Sequence, residues 1–200
     1  MRLYYFPDAC SLVINIVLRA AKMRFELIEV DYVTRQLRDG SDYSRINPMA
    51  YVPALQLSDG RCLTEVIAII DWIDFVAPEA GLLGAQGTHK RQEAMIWLAY
   101  VGTEIHKSFS PLFRPGTPQE FLAPGQRHLE IRLSMAEQKL SEQSSLCADT
   151  HTAADYYLYV MSRWMGDSGL CARDWPAIQA HATRIESLGF VQDALASDIR

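Results

Sequence analysis

The chain has 200 residues, 49% of them hydrophobic and 22% charged, and a formal net charge of −5. That is enough for a large core or, better, two small domains. The lack of any Lys/Arg-rich block argues against nucleic acid or an anionic membrane as partner, and no apolar run approaches the roughly 18 residues of a spanning helix.

Met1-Arg2 leads straight into a strand-like segment, so no signal peptide is read. Cys10, Cys62, Cys147 and Cys171 lie far apart, without a C-x-x-C pair. The expectation is therefore reduced cysteine in the cytoplasm, with neither a disulfide framework nor a metal site.

In chain order, Arg2–Phe6 reads as a strand, Pro7–Ser11 as a turn and Leu12–Ala21 as an apolar helix. Cys10 enters that helix among unpaired N–H groups at the positive end of its dipole, a place that favours the reactive thiolate. Phe25–Tyr32 reads as a second strand. The segment Thr34–Arg45 is too charged for core and has room for one short helix. Ala54–Leu57, Ser58-Asp59-Gly60 and Arg61–Thr64 form a hairpin pattern, and Glu65 opens a helix that runs to Ala77 and stops at Pro78. The order β-α-β-(α)-β-β-α implies a small mixed α/β sheet covered by helices.

Residues 79–88 carry three glycines and read as a linker, which divides the chain into domains at 1–78 and 89–200. The second domain reads as all-α, with helices at His89–Phe113, Glu120–Glu142, Ala153–Trp164, Pro176–Ser187 and Phe190–Ala196. Thr152 and Asp155 make an approximate capping box, and Pro176 sits at a helix start. On the long helix, Ala99, Thr103, His106 and Ser110 fall on one face. No nucleotide-binding loop is read.

Several motifs then act together. Leu3-Tyr4-Tyr5 leads to Cys10-Ser11-Leu12; Ile46-Asn47-Pro48 precedes Tyr51-Val52-Pro53-Ala54-Leu55; and Leu63-Thr64-Glu65 follows the Asp59-Gly60 hairpin. The helical half adds Glu104-Ile105-His106-Lys107, Pro111-Leu112-Phe113, Ala154-Asp155-Tyr156 and Asp174-Trp175-Pro176. Across nearly its whole length the chain resembles the bacterial cytosolic glutathione S-transferases, most closely the cysteine-bearing beta class. The resemblance implies a thioredoxin-like first domain, glutathione as co-substrate, a small hydrophobic electrophile and a homodimer.

It also implies roles for residues. Val52-Pro53 is expected as a cis peptide, with Tyr51 beside it, offering a backbone edge to the cysteinyl part of glutathione. Glu65 and Val66 would hold the γ-glutamyl end, and Arg35 the glycyl carboxylate. Cys10, Ser11 and His106 would act on the sulfur, with Lys107 beside them. Tyr5, Phe109, Phe113 and Trp164 would line the electrophile pocket. The chain departs from the family pattern at Val66, Ala99, Ile14-Asn15 and Gly189-Phe190, thinning the polar groups expected near the site. A non-catalytic binding or regulatory protein on the same scaffold is the alternative.

Overall fold

The computed structural model describes residues 1–147 and 150–198. Two compact units emerge: Met1–Leu82 joined by the chain from Leu188 onward, and Leu83–Ser187. The expected linker at 79–88 contains the boundary. The last helix, expected with the helical domain, packs instead with the first unit.

In the first unit, β1 (Arg2–Tyr5) leads to α1 (Ser11–Ala20) and β2 (Glu26–Glu29); β3 (Ala54–Gln56) and β4 (Cys62–Thr64) then lead to α2 (Val66–Val76). The sheet order is β2-β1-β3-β4, with β1 parallel to β2 and both β1 and β4 antiparallel to β3. This is the thioredoxin-like arrangement expected. Leu12, Val13, Ile14, Ile16, Val17 and Leu18 are all fully buried, so α1 is apolar around most of its circumference, with Ser11, Asn15 and Arg19 on the remaining stripe. Such a helix needs cover on nearly every side. The sheet, α2 and α8 (Gly189–Ser197) supply it.

The end of α1 shows why α8 belongs here. Asn15 is 1% exposed. Its amide donates to the Ala194 carbonyl at 3.3 Å and to Ser197 Oγ at 3.1 Å, while its carbonyl accepts from Arg19 Nε at 2.9 Å. Asn15, a departure from the family pattern, is thus a tie between helices.

The short helix expected within 34–45 does not form. Asp31, Asp39 and Asp42 each accept backbone N–H groups two or three residues ahead, at 2.7 to 2.9 Å. Aspartates that capture nearby amides in this way hold the backbone in turns. The segment contains two isolated bridges and one 3₁₀ turn, Tyr43–Arg45. Tyr43 also overturns the expectation that this segment stays out of the core. It is fully buried with Tyr4, Phe6, Val30, Val52 and Ala54.

In the second unit, α3 (His89–Tyr100) runs through a π turn at Val101–Ile105 into α4 (His106–Phe113). Then come α5 (Gln119–Glu142), α6 (Ala153–Arg163) and α7 (Pro176–Glu186). α6 packs on α3 and α7, and α5 packs on α4 and α7. The Thr152/Asp155 capping box is present. Among the described residues, no helix is long and apolar enough to cross a membrane.

Replacing Asn15 with Ala removes its three hydrogen bonds, leaving the Arg19 Nη2–Ser197 Oγ and Ser197 Oγ–Ala194 carbonyl contacts to join α1 and close α8. A loss of about 2 kcal/mol is expected, read as a fall in Tm of roughly 4–8 °C by differential scanning calorimetry. An unchanged Tm would mean that α8 does not depend on this tie.

Candidate functional site

Sheet register gathers the first group of site residues. Ala54 is opposite Tyr4 on one side and Thr64 on the other. The β1 exit toward Cys10, the Val52-Pro53 approach to β3 and the β4 exit into Glu65 therefore share one end of the sheet.

Cys10 is the N-cap residue of α1 and is partly exposed. Its Sγ lies 3.3 Å from the Val52 carbonyl oxygen, to which the thiol donates. The Val52–Pro53 bond is cis, as expected. A carbonyl has two lone pairs, so the Val52 oxygen keeps room for another donor. Ser11 does not fill the role expected of it. It is fully buried, and its hydroxyl donates to the Phe6 carbonyl at 3.2 Å, so that proton is not directed at a sulfur.

Two residues to which the sequence assigns no site role brace the loop before Pro53. Tyr43 Oη donates to the Tyr51 carbonyl at 2.9 Å, and Asn47 Nδ2 donates to the same oxygen at 2.7 Å. Asn47 Oδ1 also accepts from the Met49 N–H at 3.2 Å. The Asn47-Pro48 pair just ahead of the loop is the signal in the chain that points to it. Tyr51 itself is 58% exposed, so its ring is available beside Val52.

Glu65 sits at φ +67°, ψ 123°, unusual for a residue with a side chain, and its carboxylate makes no cap hydrogen bond. Such a conformation costs on the order of 1–3 kcal/mol and is typical of residues held for a function. An ordinary capping acid would bond to the helix amides, so the structure disfavours that reading. Val66 is 6% exposed. Its branched side chain is thus buried, and the polar group that the family pattern implies there is absent.

Arg35 is held firmly. Its guanidinium lies 4.8 Å from the ring centres of both Phe6 and Tyr32, and Nη1 is buried without a hydrogen-bond partner. Its backbone N–H donates to the Asp31 carbonyl, and its carbonyl accepts from the Tyr43 N–H, both at 3.0 Å. A cation resting against two rings that meet edge to face at 5.4 Å, with an unused donor, can receive an anion.

In the second unit the π turn immediately precedes His106. A π turn adds a residue to the local helical repeat and re-aims the side chains after it, a device frequent at functional sites. The face shared by Ala99, Thr103, His106 and Ser110 assumed an unbroken α-helix, so the structure corrects it. His106 Nδ1 lies 2.6 Å from Tyr157 Oη, and its ring meets that of Trp164 at 5.2 Å. Burial, aided by the neighbouring Lys107 charge, brings its pKa down to about 4. The imidazole is therefore neutral at pH 7, which removes the role of a standing positive charge beside a thiolate. Lys107 is exposed.

Three of the four expected pocket aromatics join His106 here. Phe109 stacks on Phe113 at 5.6 Å, and both meet Trp164, at 5.5 and 5.7 Å. Phe109 is only 1% exposed and serves as the floor of this cluster, whereas Phe113, at 39%, has a free face. Tyr5, the fourth, lies on β1 in the first unit and is 7% exposed, so it presents little surface as a pocket wall.

A thioredoxin-like unit with a cysteine at the first helix, a cis-proline edge and an acid at the next helix start, joined to a helical unit, defines a class of thiol-handling proteins. Residues 9–75 match the model of the glutathione S-transferase N-terminal domain. The chain is 37% identical over 198 residues to glutathione S-transferase GstA of Escherichia coli O157:H7, covering 99% of this chain and 98% of that protein. A sphingomonad glutathione S-transferase solved in complex with glutathione superposes with a TM-score of 0.94 at 35% identity, covering 99% and 98% of the two chains. The bacterial beta-class enzyme of Sphingomonas chungbukensis does so with a TM-score of 0.94 at 33% identity and the same coverage. The chain belongs to the glutathione S-transferase family.

The folded value of about 4 for His106 lies below its ordinary 6.5. The unfolded chain therefore takes up this proton first as pH falls. The contribution of His106 to stability is intact above the ordinary value and is lost as pH falls toward the folded one. Urea midpoints should drop more steeply across that window for the native chain than for His106→Gln. Equal slopes would show that His106 does not titrate as its surroundings imply.

Proposed function

We propose that this chain is a glutathione transferase that activates the glutathione thiol for attack on a small hydrophobic electrophile. The observation that carries this is the convergence, at one end of the sheet, of the Cys10 thiol, the cis Val52–Pro53 edge and the strained Glu65 at the start of α2. On this reading, the Val52 backbone pairs with the cysteinyl amide of the tripeptide in the manner of an added strand. The Glu65 carboxylate takes the γ-glutamyl ammonium, and the unpaired N–H groups opening α2 at Val66 take its carboxylate. Arg35 anchors the glycyl carboxylate, and Tyr51 flanks the bound peptide.

Cys10 and His106 are assigned to the sulfur chemistry, with Lys107 as a supporting cation. His106, neutral at pH 7 with a pKa of about 4, can accept a hydrogen bond at a ring nitrogen and is a weak general base there. The exposed faces of Phe113 and Trp164 suit an aromatic or otherwise apolar electrophile. In a second reaction, the Cys10 thiolate attacks one sulfur of glutathione disulfide, forming a mixed disulfide with Cys10 and releasing one glutathione thiolate. We further propose a homodimer, which would cover apolar surface such as Phe75, 74% exposed on α2, and a cytoplasmic location.

The native chain should be retained on immobilised glutathione and conjugate a generic aryl halide. Glu65→Gln, which removes one charge-assisted contact, should raise KM for glutathione on the order of tenfold to a hundredfold. Retention without conjugation would favour the binding-protein alternative, toward which the missing hydroxyl at Val66 points. Absence of both would sink the proposal.

The disulfide branch has its own measurement. Incubation with glutathione disulfide should add one glutathionyl mass, located on Cys10 by peptide mapping and absent from Cys10→Ala. An adduct on Cys62 or Cys171 in place of Cys10 would remove that branch.

A further inference from the structure

The spacing of Cys and His along the chain excludes a local metal motif, yet folding assembles a cluster that spacing does not reveal. His151, Asp155 and His181 each offer one ligand atom, and these atoms lie within 4.8 Å of one another. They come from three places: the turn before α6, the first turn of α6, and the middle of α7. All three belong to the second unit.

The cluster differs from an ordinary satisfied buried pair. Asp155 and His181 are both fully buried, and His181 Nε2 lies 3.0 Å from Asp155 Oδ1. Asp155 is otherwise saturated: Oδ1 accepts from the Leu146 N–H at 2.8 Å, and Oδ2 accepts from the Thr152 N–H at 2.7 Å and from Thr152 Oγ1 at 3.1 Å. The two histidines are not saturated. Nδ1 of His181 and Nδ1 of His151 are both buried without a hydrogen-bond partner. Their rings meet edge to face, with centres 6.1 Å apart. Two neighbouring imidazoles with orphan nitrogens beside a carboxylate are an arrangement that hydrogen bonding within this protein leaves incomplete.

We propose that His151, Asp155 and His181 bind a divalent transition-metal ion of the zinc class, which ties the start of α6 to α7. The donor set suits it. Two imidazoles and one carboxylate are borderline ligands for zinc, cobalt and nickel, whereas magnesium and calcium require oxygen donors. Zinc bonds of 2.0–2.1 Å set tetrahedral ligands about 3.3 Å apart; His181 and Asp155, at 3.0 Å, are near that spacing, and the full set, which lies within 4.8 Å, draws in as the ion binds. The ion takes the position of the proton between His181 Nε2 and Asp155 Oδ1, and that proton moves to Nδ1 of His181, where a buried water accepts its hydrogen bond. His151 closes the third position, and a water completes the coordination. His151 is only partly buried, which gives the ion a way in. Arg184, the cation next along α7, donates Nη2 to the Ser144 carbonyl at 2.8 Å, while its Nε is buried without a hydrogen-bond partner.

The test uses the full chain stripped with a chelator and titrated with Co²⁺ alone. Wild type should take up one equivalent with a visible d–d band, and at a hundredfold excess over Kd its Tm should rise by about 5–10 °C. His151→Asn, at a partly buried position, should lose at least tenfold in affinity and most of the Tm shift, its fold being checked by circular dichroism. His128→Asn, on the exposed face of α5, should behave as wild type. Absence of uptake, or equal uptake by His151→Asn, overturns the site and leaves a buried water as the occupant. The readout is independent of glutathione chemistry, so its outcome and that of the proposed activity are separable.

Discussion

Ala54 pairs with Tyr4 on one side and Thr64 on the other, and the placement of the first unit's site follows from that double pairing. β3 is only three residues long, so its register leaves no slack. A slip by one residue would turn every side chain of the strand to the opposite face. It would also carry the Val52 carbonyl away from the Cys10 thiol. The fully buried Leu3 and Leu55, opposite one another in that register, hold it by their packing.

Around this pairing, buried polar side chains position backbone where no regular ladder can. Tyr43 and Asn47 both donate to the Tyr51 carbonyl, fixing the approach to the cis bond. Ser11 ties the turn before α1 to the Phe6 carbonyl. Asn15 joins α1 to the last helix. Each of these side chains carries a buried polar group of its own that the contact satisfies, so the cost of losing the contact exceeds its net contribution. Ser11 and Asn15 lie close to Cys10 in sequence, yet their contacts assign them to architecture.

The helical unit places its chemistry by a different device. The π turn at Val101–Ile105 breaks the 3.6-residue phase just before His106, and the ring then packs against Tyr157 and Trp164. Burial there keeps the imidazole neutral, and the same packing gathers Phe109 and Phe113. Position and protonation of this histidine thus come from one set of contacts.

The order of strands and helices, the hairpin turn, the cis bond at Pro53 and the placement of Cys10 at a helix start were all legible in the chain, because each rests on local patterns: apolar periodicity, Asp-Gly turn chemistry, capping residues and a matched motif. The failures are equally physical. Charge along 34–45 hid Tyr43, whose burial is decided by Tyr4, Phe6 and Val52 from two other segments. A strict helical period could not foresee the π turn, which depends on how α3 and α4 pack with α5 and α6. Spacing rules missed His151, Asp155 and His181 because α6 and α7 bring them together only on folding. Sequence alone therefore determined which elements form and which residues carry reactive groups. Tertiary structure decided which of those groups are neutral, bound or open, because hydrogen bonding and desolvation are set by neighbours distant along the chain.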